Sequence, residues 1–296
     1  MKIRPEKQTT YGWFVAIDIF LTGMGGGVFF ISYILNLLHK YEPVARIGSL
    51  LGPLLALMGT FFLLAELGRK TRFIILFTGS FNPLSWLSRG AWILSSFIVL
   101  GLAYSLALFE PFEWLPWSRG SGVWQGIGIA GAVLSILVVM YPGFLFGVVR
   151  SVPFWNTPVL PIVFLFSGLC TGIASLFVTA FFFKGSVGVV GFHYLGTAGA
   201  TLVVILLLVL GAYLEIARHQ NLVTLGSLYL LRTPFIICGA MICGLLLPAA
   251  LFIVSIFVKD AATISIMIGI GGIFLLSGGL FLEYGIISAG TYRPVR

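Results

Sequence analysis

The stretch from Gly12 to Leu38, GWFVAIDIFLTGMGGGVFFISYILNLL, runs for 27 residues with one charge, Asp18. A hydrocarbon layer about 30 Å thick is crossed by roughly 20 helical residues rising about 1.5 Å each, so this run is long enough to span it. The preceding MKIRPEKQTTYGW offers no small-residue cleavage site after a short apolar core, and the run reads as a retained span, not a removed signal. Runs of similar size recur at about 44–67, 90–109, 123–147, 159–183, 195–217, 235–257 and 264–289. Apolar residues make up 59% of the 296-residue chain, charged residues 9%, and mean hydropathy is +1.10. Soluble domains average about 45–50% apolar, and a transmembrane barrel would alternate apolar and polar positions in strands of about 10 residues. The expected fold is therefore all-α: a polytopic membrane protein of eight transmembrane helices forming a single integral membrane domain over residues 1–296.

Composition narrows the chemistry. Cys170, Cys238 and Cys243 all fall inside predicted spans, and an iron–sulfur cluster needs about four cysteine thiolates. His39, His193 and His219 flank spans, and a haem held by two histidines would need both at depth on facing helices. No haem, cluster or metal is expected in this chain. The formal charge of +8 is spread over short loops, as is usual beside membrane helices, and does not mark a nucleic-acid partner.

A weak internal similarity marks two halves, residues 12–147 and 159–289. Gly23 and Gly27 in FLTGMGGG match Gly168 and Gly172 in LFSGLCTG, and Glu66-Leu-Gly-Arg69 matches Glu215-Ile-Ala-Arg218. Two four-helix bundles would produce this, but close helix packing alone also selects small residues four apart. The longer connections are 68–89, read as an amphipathic interfacial segment, and 110–122, rich in Trp and Pro and suited to the headgroup region. Eight spans put both termini on one face. That face carries twelve of the 17 Lys and Arg residues, and the positive-inside rule would make it cytoplasmic.

Carboxylates inside apolar runs cost about 2.5 kcal/mol or more to insert, so they usually line a cavity or pair with a cation. Asp18 lies two turns into the first run between Ile17 and Ile19, with no cation beside it in sequence. Glu66, Glu215 and Glu283 also lie toward the terminal face. Arginines three residues after Glu66 and Glu215 make helix-end ion pairs the plainer account of those two, and Glu283 is likewise expected to pair near the interface. Glu42, Glu110, Glu113 and Asp260 are expected in water. Tyr141-Pro142-Gly143 ends the fourth run at the terminal face, where a tyrosine hydroxyl beside Asp18 would supply the donor and acceptor that a quinone headgroup needs. Ser151–Pro158 reads as a rigid aromatic cover over the same region.

Four segments carry a family resemblance: YGWFVAIDIFLTGMGGG, LLAELGRKTRF, NPLSWLSRGAWIL and YPGFLFGVVRSVPFWNTPVLPIVFLFSGLCTG. With them the chain resembles the NrfD-like family, the membrane subunits of polysulfide reductase and related respiratory enzymes. The resemblance covers much of the first 180 residues; beyond that only the apolar helices match. It implies a haem-free subunit in the inner membrane of a prokaryote, taking menaquinone or ubiquinone as bound substrate. Its implied partners are a four-cluster-type iron–sulfur subunit and a molybdopterin-type catalytic subunit. Candidate quinone contacts are Asp18, Tyr141 and Trp86; candidate proton-transfer groups are Asp18, Glu66, Glu215 and Glu283; candidate docking residues are Arg69, Arg72, Arg89, Trp155 and Asn156. Glu66 stands where aspartate is commoner and Lys70 where proline is common, departures that keep the carboxylate and Arg69. Several relatives hold their partners outside the cytoplasm, opposite to the sidedness given by loop charge. From another class, a secondary transporter would also use intramembrane acids and broken helices, and would differ in taking up substrate alone. A passive anchor would tolerate loss of the polar residues. Helices five to eight alone are not expected to carry protons across the membrane.

Overall fold

The computed structural model describes residues 6–8, 11–66, 85–112, 114–220, 222–231, 233 and 237–292. Their spans are α1 (Trp13–Leu37), α2 (Glu42–Glu66), α3 (Trp86–Leu106), α4 (Gly122–Gly147), α5 (Leu160–Phe182), α6 (Lys184–Gln220), α7 and α8 (Ala261–Ser288). The seventh, α7, begins as a π-helical segment, Ile237–Leu246, and continues as the α-helix Leu247–Ser255. Each is long and apolar enough to cross a membrane, so the chain is an integral membrane protein. Wherever side chains face lipid, apolar surface is no liability, which accounts for exposed Phe61, Leu208 and Phe257.

Glycine decides which helices occupy the middle. Buried residues make up 67% of the most apolar window of α1 and 72% of that of α5, against 28% for α3. These two central helices cross where the matching stripes meet: a Cβ on Gly27 would run into the Gly168 carbonyl, and one on Gly172 would lie 2.5 Å from Val28 N. In lipid no hydrophobic drive joins helices, so such close backbone approach supplies the packing attraction. From this centre α1 touches α2, α4 and α8, while α5 touches α4, α6 and α8.

Several boundaries differ from the sequence expectation. Residues 184–194, expected as a loop, are helical, because Val187 and Phe192 in this glycine-rich stretch are buried; a break at Gly188 (φ 65°, ψ 173°) uses a conformation open to glycine. Leu222–Leu231 forms a short helix, too short to cross a bilayer. Glu42 is not free in a loop: it opens α2, with Arg119 at 2.9 Å and Arg46 at 3.4 Å. Asp260 caps α8, where the Thr263 hydroxyl and amide, at 2.6 and 2.8 Å, hold its carboxyl below the usual range. The expected interfacial segment at 68–89 lies mostly outside the described residues, as does Glu113.

The chain ends meet on one face. β1 (Glu6–Lys7) pairs antiparallel with β2 (Thr291–Tyr292), just beyond the end of α8. The loop between α4 and α5 is drawn under this pairing: the Trp155 indole donates to Ile286 O at 2.9 Å, and Tyr213 on α6 donates to Phe154 O at 2.8 Å.

Candidate functional site

At this terminal face, α1 to α4 enclose a cavity of about 490 Å³, within the roughly 300–1,000 Å³ typical of small-molecule sites. Its wall is largely apolar, from Ile19, Leu63, Leu94 and Val138 among others. Polar groups enter at a few points: Asp18 and Thr22 from α1, Thr60 from α2, Ser95 from α3, Tyr141 from α4, and Tyr11 from the segment before α1. Asp18 and Tyr141, far apart in sequence, are thus brought to one cavity by the packing of α1 against α4.

Each of the two is held in place. Asp18 is 9% exposed, and the Thr22 hydroxyl one turn later donates to its Oδ1 at 3.2 Å. Gly59 of α2 lies directly behind, where a Cβ would come within 3.1 Å of Asp18 Oδ1. The hydroxyl end of the Tyr141 ring lies against Gly90 of α3, leaving no room for a side chain there. α4 continues through Pro142, and Gly143 lets it approach α5 at Pro161, which a Cβ would meet at 2.5 Å from the nitrogen.

The other candidates separate. Trp86 lies off the cavity wall, stacked on Phe144 at 4.9 Å with the Arg89 guanidinium 4.9 Å from its ring. Trp155 faces inward and is 1% exposed, packed on Phe146 and Tyr11, so its indole braces the cavity wall and offers no docking surface. The correction has a simple cause: an aromatic-rich loop reads as surface cover, but a large ring with one N–H donor is best satisfied buried beside a free helix-end carbonyl. Asn156 stays exposed, its amide donating to Gly147 O at 2.6 Å. Arg69 and Arg72 lie outside the described residues; Glu66 ends α2, and its side chain also lies outside them.

The acids of the second half part company as well. Glu215 is exposed and paired with His219 at 2.9 Å and Arg218 at 3.7 Å. Glu283 departs from the expected arginine pair near an interface. It is 1% exposed, accepts from the Ser167 hydroxyl at 3.0 Å, and leaves Oε2 without a hydrogen-bond partner among the described residues. It lies between α8, which carries it, α5, whose Ser167 it meets, and α1, where a Cβ on Gly23 would stand 3.9 Å from its Oε1. Beyond Ser167, the hydroxyls of Thr171, Ser175 and Thr179 each donate to a carbonyl one turn earlier on α5, which satisfies them within their own helix. A second cavity, also about 490 Å³, lies between α6, α7, α8 and the short helix, with Glu215 and Arg218 at its edge.

Residues that the sequence did not single out are Tyr11, Thr22, Thr60, Ser95 and Gly90. Thr22 was legible, standing four positions after Asp18 and so one turn above it. The rest depend on how the helices rotate about their axes, which weak amphipathic patterning in a lipid-embedded helix does not fix.

Known proteins resemble this chain in sequence. Protein NrfD of Escherichia coli strain K12 is 29% identical over 191 residues, 57% of this chain and 58% of that protein. The C subunit of polysulfide reductase from Wolinella succinogenes is 28% identical over 199 residues, 62% of each. The NrfD homolog of Haemophilus influenzae is 28% identical over 186 residues, covering 55% of this chain and 57% of that one. The aligned part thus spans under two-thirds of each of these relatives. The family model described as polysulphide reductase, NrfD, matches residues 3–294, and the chain belongs to that family.

Proposed function

We propose that this chain is the membrane subunit through which a respiratory oxidoreductase in a prokaryotic inner membrane exchanges electrons with quinone. Menaquinone or ubiquinone, as quinol or quinone, would sit in the α1–α4 cavity. The observation that carries this is the convergence of Asp18 and Tyr141 in one apolar cavity at the face where the chain ends meet. A quinone ring has carbonyl oxygens at opposite ends; the Tyr141 hydroxyl can donate to one, and the Asp18 carboxylate can accept from the hydroxyl that replaces the other. Oxidation of a quinol breaks two O–H bonds and releases two protons and two electrons. Asp18 takes one proton at its carboxylate and the second leaves to water. The electrons pass one at a time to the nearest cluster of an iron–sulfur partner, and from there to a molybdopterin-type catalytic subunit. Reduction of quinone is the same sequence reversed.

Quinol added to the complex purified with its partners is expected to reduce a partner cluster, followed by electron paramagnetic resonance. Gly90→Ala should slow this about tenfold or more, because a methyl group there collides with the Tyr141 ring and moves its hydroxyl. Reduction at the wild-type rate in Gly90→Ala, with the complex intact, would contradict the assignment of Tyr141.

Docking belongs on the same face, since an electron leaving the cavity needs a nearby acceptor. Arg89 at the start of α3 and exposed Asn156 lie there, at the face where α2 ends and α3 begins. Fixed positive charge at such a surface favours an acidic partner. Chemical cross-links from the iron–sulfur subunit are expected near residues 69–89 and 150–158. Cross-links confined to 110–122 and 184–194, on the opposite face, would exclude this arrangement.

A further inference from the structure

Gln8 lies five residues before α1 and takes no part in the chemistry proposed above, yet it is 7% exposed and every polar atom of its side chain is engaged. Its Oε1 accepts from Tyr11 N–H at 2.9 Å, and its Nε2 donates to Tyr11 O at 2.9 Å and to Ile287 O at 3.2 Å. Its own backbone N–H donates to Gly290 O at 2.9 Å. One amide thus grips both backbone polar groups of Tyr11 and fixes them to the end of α8.

That end is itself anchored. The Trp155 indole holds Ile286 O, and the Thr291 hydroxyl donates to Val223 O at 2.8 Å and meets Ser227 Oγ at 2.8 Å. On the other side Tyr11 walls the cavity with Asp18 and Tyr141, its ring backed edge-on by Phe146 at 5.4 Å and Trp155 at 6.0 Å. The wall of a cavity built by the first four spans is therefore placed by the end of the eighth.

We propose that Gln8 is a positioning residue for quinol: by clamping the Tyr11 backbone to the C-terminal end of α8, it sets the cavity wall and hence the affinity for the headgroup. This rests on the quinol-site reading above. A leucine of similar size at position 8 would leave the Tyr11 amide and carbonyl and the Ile287 carbonyl without those bonds, freeing the segment to shift.

The test uses the purified complex with a soluble short-chain naphthoquinol as donor. Gln8→Leu is expected to raise KM about tenfold while lowering kcat less than about twofold, the pattern of lost ground-state binding. A merely structural role would lower the thermal unfolding midpoint and leave KM in place. Tyr11→Ala provides the second measurement: the clamp holds backbone atoms and survives, while the wall is lost, so KM should rise similarly. Unchanged KM in either assembled variant overturns the proposal. Asp18→Asn and Tyr141→Phe separate the two claims: if they leave turnover at the wild-type level, the quinol site itself is wrong; if they lower it while Gln8→Leu and Tyr11→Ala keep KM, the positioning role alone fails.

Discussion

Asp18→Asn is expected to lower quinol-linked turnover about 100-fold while leaving the complex assembled. The loss is what removal of a proton acceptor from a reacting group usually costs. Asparagine keeps the volume and an oxygen able to accept from Thr22, whose hydroxyl now lies 3.2 Å from Asp18 Oδ1, so packing against Gly59 has no reason to change. Quinone binding should persist for the same reason. The measurement is steady-state oxidation of quinol by the purified complex, with assembly judged by co-purification of the iron–sulfur subunit. Turnover at the wild-type rate would remove Asp18 from the mechanism.

Gly27→Leu is expected to prevent folding of the membrane domain. The new side chain would start inside the space of the Gly168 carbonyl, with the Gly168 carbonyl carbon 2.6 Å and Leu169 Cα 3.2 Å from its Cβ. These are backbone atoms of the most enclosed helix and cannot swing aside as a flexible side chain would. Overpacking of a well-packed interior costs about 1–3 kcal/mol and occasionally more; a collision with backbone at the central crossing belongs at or beyond the upper end. Gly126→Leu is the control, since nothing lies within 4 Å of a Cβ at that exposed position of α4. Monodisperse protein recovered in detergent should be lost for the first variant and retained for the second. Equal recovery of both would contradict the central role of the α1–α5 crossing.

Span number and order were legible in the sequence because lipid imposes a simple rule: runs of about 20 apolar residues must be helices that satisfy their own backbone. The glycines four apart were legible too, and the structure shows where they act, at the crossing of α1 with α5. What the sequence withheld was rotation and depth. Glu283 lies near the end of a 28-residue apolar helix and reads as interfacial, but the packing of α8 against α5 buries it beside Ser167. Trp155 reads as a surface aromatic, and its burial depends on a carbonyl 131 residues away. Tyr11 and Gln8 sit outside any span in a stretch without pattern; Tyr11 joins the cavity wall, with Gln8 holding its backbone, where Glu6–Lys7 pairs with Thr291–Tyr292. Contacts of this kind arise from tertiary closure and leave no local mark.

Photoaffinity labelling with an azido-quinone, followed by peptide mapping of the purified complex, tests the placement of the quinone most directly, because the two cavities are of equal volume and lined by different peptides. Label is expected in residues 11–22, 87–98 and 138–146, which line the α1–α4 cavity, and should be competed by excess unmodified quinone. Competed label confined to residues 210–218 and 240–246, which line the cavity between α6, α7 and α8, would contradict it.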